Sequence, residues 1–280
     1  MTNILVIGST GNVGRALTEE LTRAGERVRA ATRNPSQLKA SAGVEPVRFD
    51  YDDASTFAAA LDGTDRVFMI GPPDPTPHKI MLPFVEEAAR DNRKVVLMTA
   101  MGTEFDESGS LRQVELALER SGSPFVILRP NWFMDNFHTS WLAPIQQAGV
   151  IPLPAADGRT SLIDARDIGA SAAAALRTDR FDGQAFTLTG PEPLTYTEAA
   201  AILSKAAGRE IQYVAVDDES FVKSLLDAGA PAGLARYLAP LFGFVRQGAA
   251  ATVSAAVEQL TGRAPRTLAQ YAQDHASAWK

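Results

Sequence analysis

Cysteine is absent from this 280-residue chain, which excludes disulfide frameworks, thiolate metal sites and cysteine nucleophiles. Histidine is scarce: His78, His138 and His275 stand far apart without ligand spacing, and no metal site is expected. Positive charge is not in excess. Twenty-seven Lys+Arg against 33 Asp+Glu give a formal net charge of −6, so no global positive field would condense on phosphate backbones or anionic lipid. Neither nucleic acid nor a membrane is an expected partner. No uninterrupted apolar run reaches the ~18 residues of a spanning helix. Met1-Thr2-Asn3 passes at once into Ile4-Leu5-Val6-Ile7, with neither a basic leader nor a small-residue cleavage site, and the reading is a soluble, cytoplasmic protein. With 45% hydrophobic and 21% charged residues, the disordered and fibrous classes are excluded as well.

Short apolar runs are what the chain does have: Ile4 to Ile7, Val28 to Thr32, Val44 to Phe49, Val67 to Ile70, Val95 to Met98 and Phe125 to Leu128. Continuous runs of this length fit strands buried on both faces, and helix-patterned stretches between them imply right-handed βαβ units in a parallel sheet. Asn34-Pro35-Ser36-Gln37 and Thr195-Tyr196-Thr197-Glu198 carry helix-start chemistry. The alanine-rich stretch Ala170 to Leu176 reads as a close-packed helix. Beyond about residue 150, Pro152, Pro154, Gly158, Gly190, Pro191 and Pro193 punctuate the pattern. Helices are expected near 195–207, 217–228 and 232–247, with a short strand at Ile211 to Val216. The expectation is an α/β protein: a doubly wound parallel-sheet core over 1–150 and a smaller, mainly helical C-terminal lobe over 151–280, with segments near 160–190 returning to the core.

Directly after the first run comes Gly8-Ser9-Thr10-Gly11-Asn12-Val13-Gly14, opening into the helical stretch Arg15 to Ala24. A dinucleotide pyrophosphate requires close backbone N–H groups and a helix N-terminus aimed at it, and glycines at spacing three between a strand and a helix meet that need. Gly8, Thr10, Gly11, Asn12, Val13 and Gly14 are therefore candidate cofactor-binding residues on a Rossmann core. The second run ends Ala30-Ala31-Thr32-Arg33. An acid about 20 residues beyond the loop would hold the ribose 2′-hydroxyl of NAD, whereas Arg33 suits a 2′-phosphate, so NADP(H) is preferred and NAD(H) remains possible. The other reading of Arg33 is a solvated strand-end residue. Asp50, after the third run, could meet the adenine amino group or belong to a helix-start cluster in which Asp52 or Asp53 caps.

These residues, with Val67-Phe68-Met69-Ile70-Gly71-Pro72-Pro73, the segment Leu128-Arg129-Pro130-Asn131-Trp132-Phe133-Met134-Asp135-Asn136-Phe137 and Ile163-Asp164-Ala165-Arg166-Asp167-Ile168, resemble the NmrA-like branch of the atypical short-chain dehydrogenase/reductases. The likeness extends through Leu188-Thr189-Gly190-Pro191-Glu192 and Thr261-Gly262-Arg263-Ala264-Pro265, nearly the whole chain. Triphenylmethane reductases and type 2 NAD(P)H:quinone oxidoreductases are similar members, and other members are dinucleotide sensors. The resemblance implies NAD(P) along the carboxyl edge of the sheet and substrate under the C-terminal lobe. It further implies that Gly71 and Pro72 line the cofactor's middle, that Thr99, Ala100 and Met101 meet the ribose beside the nicotinamide, and that Pro130, Asn131, Trp132 and Phe133 face nicotinamide and substrate. For the two aromatics, core packing is the competing reading.

One departure bears on mechanism. Typical short-chain dehydrogenases place Lys four residues after their proton-donating Tyr, yet none of Tyr51, Tyr196, Tyr213, Tyr237 and Tyr271 has Lys there, and no Lys occurs between 95 and 204. Arg112 could hold a ribose hydroxyl or stabilise a developing anion, or face solvent on a helix. His138 is a candidate proton donor, or a packed side chain. The expected function is an NADPH-dependent oxidoreductase, monomer or homodimer, that delivers hydride to a small aromatic or conjugated electrophile such as a quinone, enone or dye. The alternative is a non-catalytic redox sensor that binds NAD(P) and a protein partner, and a less favoured one is an isomerase with tightly held NAD.

Overall fold

A computed structural model describes residues 2–38 and 41–280. The first six strands are β1 (Asn3–Val6), β2 (Arg27–Thr32), β3 (Val44–Arg48), β4 (Arg66–Ile70), β5 (Lys94–Met98) and β6 (Phe125–Pro130). With Gln184–Leu188 they form a seven-stranded sheet in the order β3-β2-β1-β4-β5-β6 and then 184–188. Every pairing is parallel. Ile4, Leu5, Val6, Val67, Phe68, Val95, Val96 and Leu97 are fully buried, which is why the central strands read as uninterrupted apolar runs. The Rossmann-like, doubly wound core expected from the sequence is thus present. Its strand order reverses between β1 and β4, the switch point beside which open parallel sheets bind ligands at their carboxyl ends.

The chain divides into two compact units: residues 1–130 with 165–188 and 259–262, and residues 131–164 with 189–258 and 263–280. The opening stretch of the first unit ends at Pro130 rather than near 150, because 131–149 lack a strand of the seven-stranded sheet and Met134, Phe137, Trp141 and Ile145 pack in a core cluster with later residues. Within the first unit, helix α1 (Asn12–Arg23) lies against helix Ala165–Arg177. A Cβ at Gly169 would come within 2.7 Å of the Leu17 nitrogen, so the alanine-rich sequence reflects close helix contact. Pro46 is tolerated in β3 because that strand is a sheet edge.

The second unit carries helices Tyr196–Ala207, Asp218–Asp227 and Ala232–Arg246, and strand Gln212–Ala215 pairs parallel with Val150–Leu153. Its core includes Phe137, Tyr196, Phe242, Tyr271 and Trp279. Thr195 and Glu198 form a reciprocal capping box, as do Thr267 and Gln270. The start signal at Asn34 produces less than expected. Pro35–Gln37 is a single 3₁₀ turn without a side-chain cap, since β3 follows soon after at Val44. Lys39 and Ala40 lie outside the described residues.

Candidate active site

The turn after β1 is built from backbone and close glycine contacts. Gly8 adopts φ +75°, a region closed to most side chains, and the Gly11 N–H donates to the Gly8 carbonyl at 2.9 Å. Gly11 is the N-cap of α1. No side chain caps that helix and no acid stands in its first turn, so the first-turn N–H groups remain for a ligand. The three glycines have different reasons for being there. A Cβ at Gly14 would lie 2.1 Å from the Gly8 carbonyl oxygen and one at Gly8 2.7 Å from Ile70 Cγ2, whereas one at Gly11 meets only the Gly8 oxygen at 3.4 Å. Packing explains Gly8 and Gly14. Gly11 has room on the protein side, and its bareness fits a pyrophosphate that must approach the backbone. Thr10 and Asn12 are exposed beside it, while the Val13 side chain is core and only its backbone faces the helix end. Ser9 Oγ donates to the Ala31 carbonyl at 2.9 Å and ties the turn to β2. Arg15 Nε donates to the Thr10 carbonyl.

Arg33 follows β2, exposed, and nothing among the described residues engages its guanidinium. Asp50 spends one carboxylate oxygen on the Asp52 N–H. Of its neighbours, Asp53 rather than Asp52 is the cap, accepting from the Ser55 N–H. Gly71 closes β4, where a Cβ would strike Met81 Sδ at 2.5 Å, and Pro72 beyond it is exposed. At the ends of β5 and β6 the ladder continues past the strands: the Thr99 N–H donates to the Leu128 carbonyl and the Met101 N–H to the Pro130 carbonyl. Exposed Ala100 stands between them. The glycine turn, Gly71, Pro72, Thr99 to Met101 and Pro130 therefore occupy the carboxyl ends of β1, β4, β5 and β6, neighbours in the sheet.

The Arg112 guanidinium is engaged by carboxylates through Nε and Nη1. On helix Ser110–Arg120 its Nη1 donates to Glu115 Oε2 at 3.0 Å and Glu119 Oε1 at 2.9 Å, and its Nε donates to Glu107. Glu115 is fully buried. Burial alone would raise its carboxyl, but hydrogen bonds from Arg129 and Thr99, with the charges of Arg129 and a bond from Arg112, hold it below the ordinary carboxylate range. Sequence reasoning assigned no role to Glu115 or Arg129. The available signal was a carboxylate among Val114 and Leu118 on one helix face and an arginine directly after the apolar run Phe125 to Leu128 of β6.

The substrate candidates belong to the second unit. Asn131 is buried with its carboxamide committed: Nδ2 donates to Ser161 Oγ and the Ala250 carbonyl, both at 2.8 Å, and Oδ1 accepts from the Trp132 N–H. Trp132 is half-buried, its ring 4.6 Å from that of Phe242. Phe133 bridges to Ile163. His138 is not isolated, contrary to its position in the sequence. Its Nδ1 is hydrogen-bonded to the Tyr271 hydroxyl, and its ring stacks on His275 at 4.5 Å and 9°. Burial first, and then the His275 charge, lower its pKa, while Asp164 acts in the opposite sense. Among the described residues no His, Asp and Glu group could hold a metal, and no helix is long and apolar enough to cross a membrane.

The strand order and the glycine turn define the class: an α/β protein with an NAD(P)-binding, Rossmann-like core. The NAD(P)H-binding family model matches residues 8–178 and the NmrA-like family model residues 109–272; the chain belongs to the NmrA-like family. It is 33% identical to the Prestalk A differentiation protein A of Dictyostelium discoideum, over 97% of this chain and 92% of that one. It is 31% identical to the NAD(P)H azoreductase of Xenophilus azovorans, over 99% of each. Among solved structures, the NADPH-dependent quinone oxidoreductase of Escherichia coli superposes with a TM-score of 0.81 at 25% identity, covering 97% of this chain and 98% of that one. The family includes NAD(P)H-dependent oxidoreductases, and this chain carries their dinucleotide-binding domain.

Proposed function

We propose that the protein is an NADPH-dependent reductase whose acceptor is a flat, conjugated electrophile of the quinone, enone or dye type. The observation that carries this reading is the turn at Gly8–Gly14, uncapped and open at Gly11, followed after β2 by an unengaged Arg33 where an acid would suit NAD. The residues present fit the cofactor: first-turn N–H groups for the pyrophosphate, Arg33 for a 2′-phosphate, and Thr99 to Met101 for the ribose next to the nicotinamide. The bound nicotinamide would supply a hydride. The chain's own part is to hold donor and acceptor at ~3–3.5 Å and to exclude water. Trp132 and Phe133 are assigned to the acceptor as aromatic surface, with Asn131 holding the turn that carries them.

Proton supply supports the acceptor class. Tyr51 donates to the Ile70 carbonyl and Tyr213 to the Leu153 carbonyl, Tyr196 is fully buried, and the Tyr271 hydroxyl is bonded to His138; Tyr237, on helix Ala232–Arg246, is exposed. A quinone or dye delocalises the charge that hydride delivers, so solvent can protonate the product afterwards. A second reading, a sensor that binds dinucleotide and a protein partner, is favoured by Arg112, whose guanidinium is held by three carboxylates. NADPH consumption with menadione and a dye panel, alongside NADPH and NADP⁺ affinities, separates the two. Turnover with the conjugated acceptors is expected; tight binding of both nucleotides without turnover would favour the sensor.

A further inference from the structure

We infer that Glu115 is a positioning residue for the nicotinamide end of the dinucleotide site, acting through the Thr99 hydroxyl and the Arg129 guanidinium. The inference rests on the dinucleotide reading above. Glu115 has no solvent exposure and accepts four hydrogen bonds: Thr99 Oγ1 at 2.7 Å and Arg129 Nε at 3.0 Å on Oε1, and Arg129 Nη2 at 2.8 Å and Arg112 Nη1 at 3.0 Å on Oε2. One helix carboxylate thereby locks the carboxyl end of β5, through Thr99, to that of β6, through Arg129. Arg129 is held from its other side by Glu104 at 3.5 Å.

Stability is a poor reason for this arrangement, since a buried ion pair can be replaced by apolar residues at little cost or with gain. Position is a better one. The bond to a carboxylate uses the only proton of the Thr99 hydroxyl, so any ligand meeting that oxygen must come as a donor. A ribose hydroxyl satisfies that condition, whereas a carboxylate or phosphate oxygen does not. The neighbouring Ala100 and Met101 are carried with it, because the Met101 N–H is fixed on the Pro130 carbonyl. The adenosine half, held by the Gly8–Gly14 turn and Arg33, has no part in this network.

That separation supplies the test. Calorimetric affinities for NADPH and for 2′,5′-ADP, which lacks the nicotinamide riboside, are measured on the parent, Glu115→Gln, Thr99→Val and Thr99→Ser. In Glu115→Gln we expect NADPH binding about tenfold weaker, about the loss of one good hydrogen bond, with 2′,5′-ADP binding unchanged. Thr99→Val is expected to show the same selective loss, its combination with Glu115→Gln no further loss, and Thr99→Ser the parental affinity. Equal losses for the two ligands would make the network merely structural, and full NADPH affinity in folded Glu115→Gln would remove Glu115 from the site. Should that variant not fold, Glu115→Asp, which keeps the charge but withdraws the carboxylate, is read by the same two affinities. If the parent binds neither ligand, the dinucleotide reading itself has failed.

Discussion

A side chain at Gly14 would put its Cβ 2.1 Å from a backbone oxygen, while one at Gly11 finds that same oxygen at 3.4 Å. Two substitutions in one turn should therefore fail differently. Gly14→Ala is expected to lower the melting temperature, as overpacking typically costs ~1–3 kcal/mol. Gly11→Val should melt close to the parent but lose NADPH binding, because the new side chain occupies the ligand's approach. Melting curves with an NADPH titration of each variant check this, and retained affinity in a folded Gly11→Val protein would take the turn out of the site. At Arg33 the expectation concerns cofactor choice. Charge-assisted hydrogen bonds to a 2′-phosphate are worth ~1.5–3 kcal/mol each, so Arg33→Ala should weaken NADPH binding roughly ten- to a hundredfold while NADH affinity hardly moves. Equal losses for both would mark Arg33 as structural.

At the scale of elements, the C-terminal segment is held by titratable contacts. Helix Leu268–Asp274 brings Tyr271 to His138, His275 stacks on that imidazole, and Trp279 Nε1 donates to the Phe137 carbonyl at 2.8 Å. His138 has a lowered pKa in the fold, so the unfolded chain takes up its proton first, near the ordinary value of about 6.5. Stability contributed here is intact above that pH and falls as the pH drops from it towards the lower folded value. Asp164 tempers the effect and His275 strengthens it. Melting temperatures between pH 7.5 and 5 should decline, and His138→Gln should flatten the decline; an unchanged slope in that variant would assign it to other groups. The helix starts show how local chemistry divides. Thr195 and Glu198 cap as their spacing implies, whereas Asn34 starts only a 3₁₀ turn with no side-chain cap.

For the whole molecule, the arrangement of tyrosines leads to a kinetic expectation. Changing each of Tyr51, Tyr196, Tyr213, Tyr237 and Tyr271 to Phe should leave kcat with a quinone within about tenfold, whereas removal of a true general acid typically costs ~10²–10⁴. Quinones should also outperform simple ketones, whose alkoxide product cannot spread its charge. A loss above a hundredfold in one folded Tyr variant with NADPH affinity preserved would identify a dedicated donor and overturn the solvent-protonation mechanism.

Strand positions, the glycine turn and the capping box at Thr195 were legible in the sequence because each depends on residues a few positions apart: unbroken apolar runs specify strands buried on both faces, and glycines at fixed offsets specify a tight turn of the backbone. The missing Tyr–Lys pair was legible for the same reason. Tertiary structure alone decided which distant groups meet. The division at Pro130 instead of 150, the stacking of His138 on His275 and the four bonds converging on Glu115 each join residues from separate elements. A carboxylate on an apolar helix face has no local explanation. It is stable there only because the parallel pairing of β5 with β6 delivers Thr99 and Arg129 as partners to offset its desolvation, and no window of sequence contains that pairing.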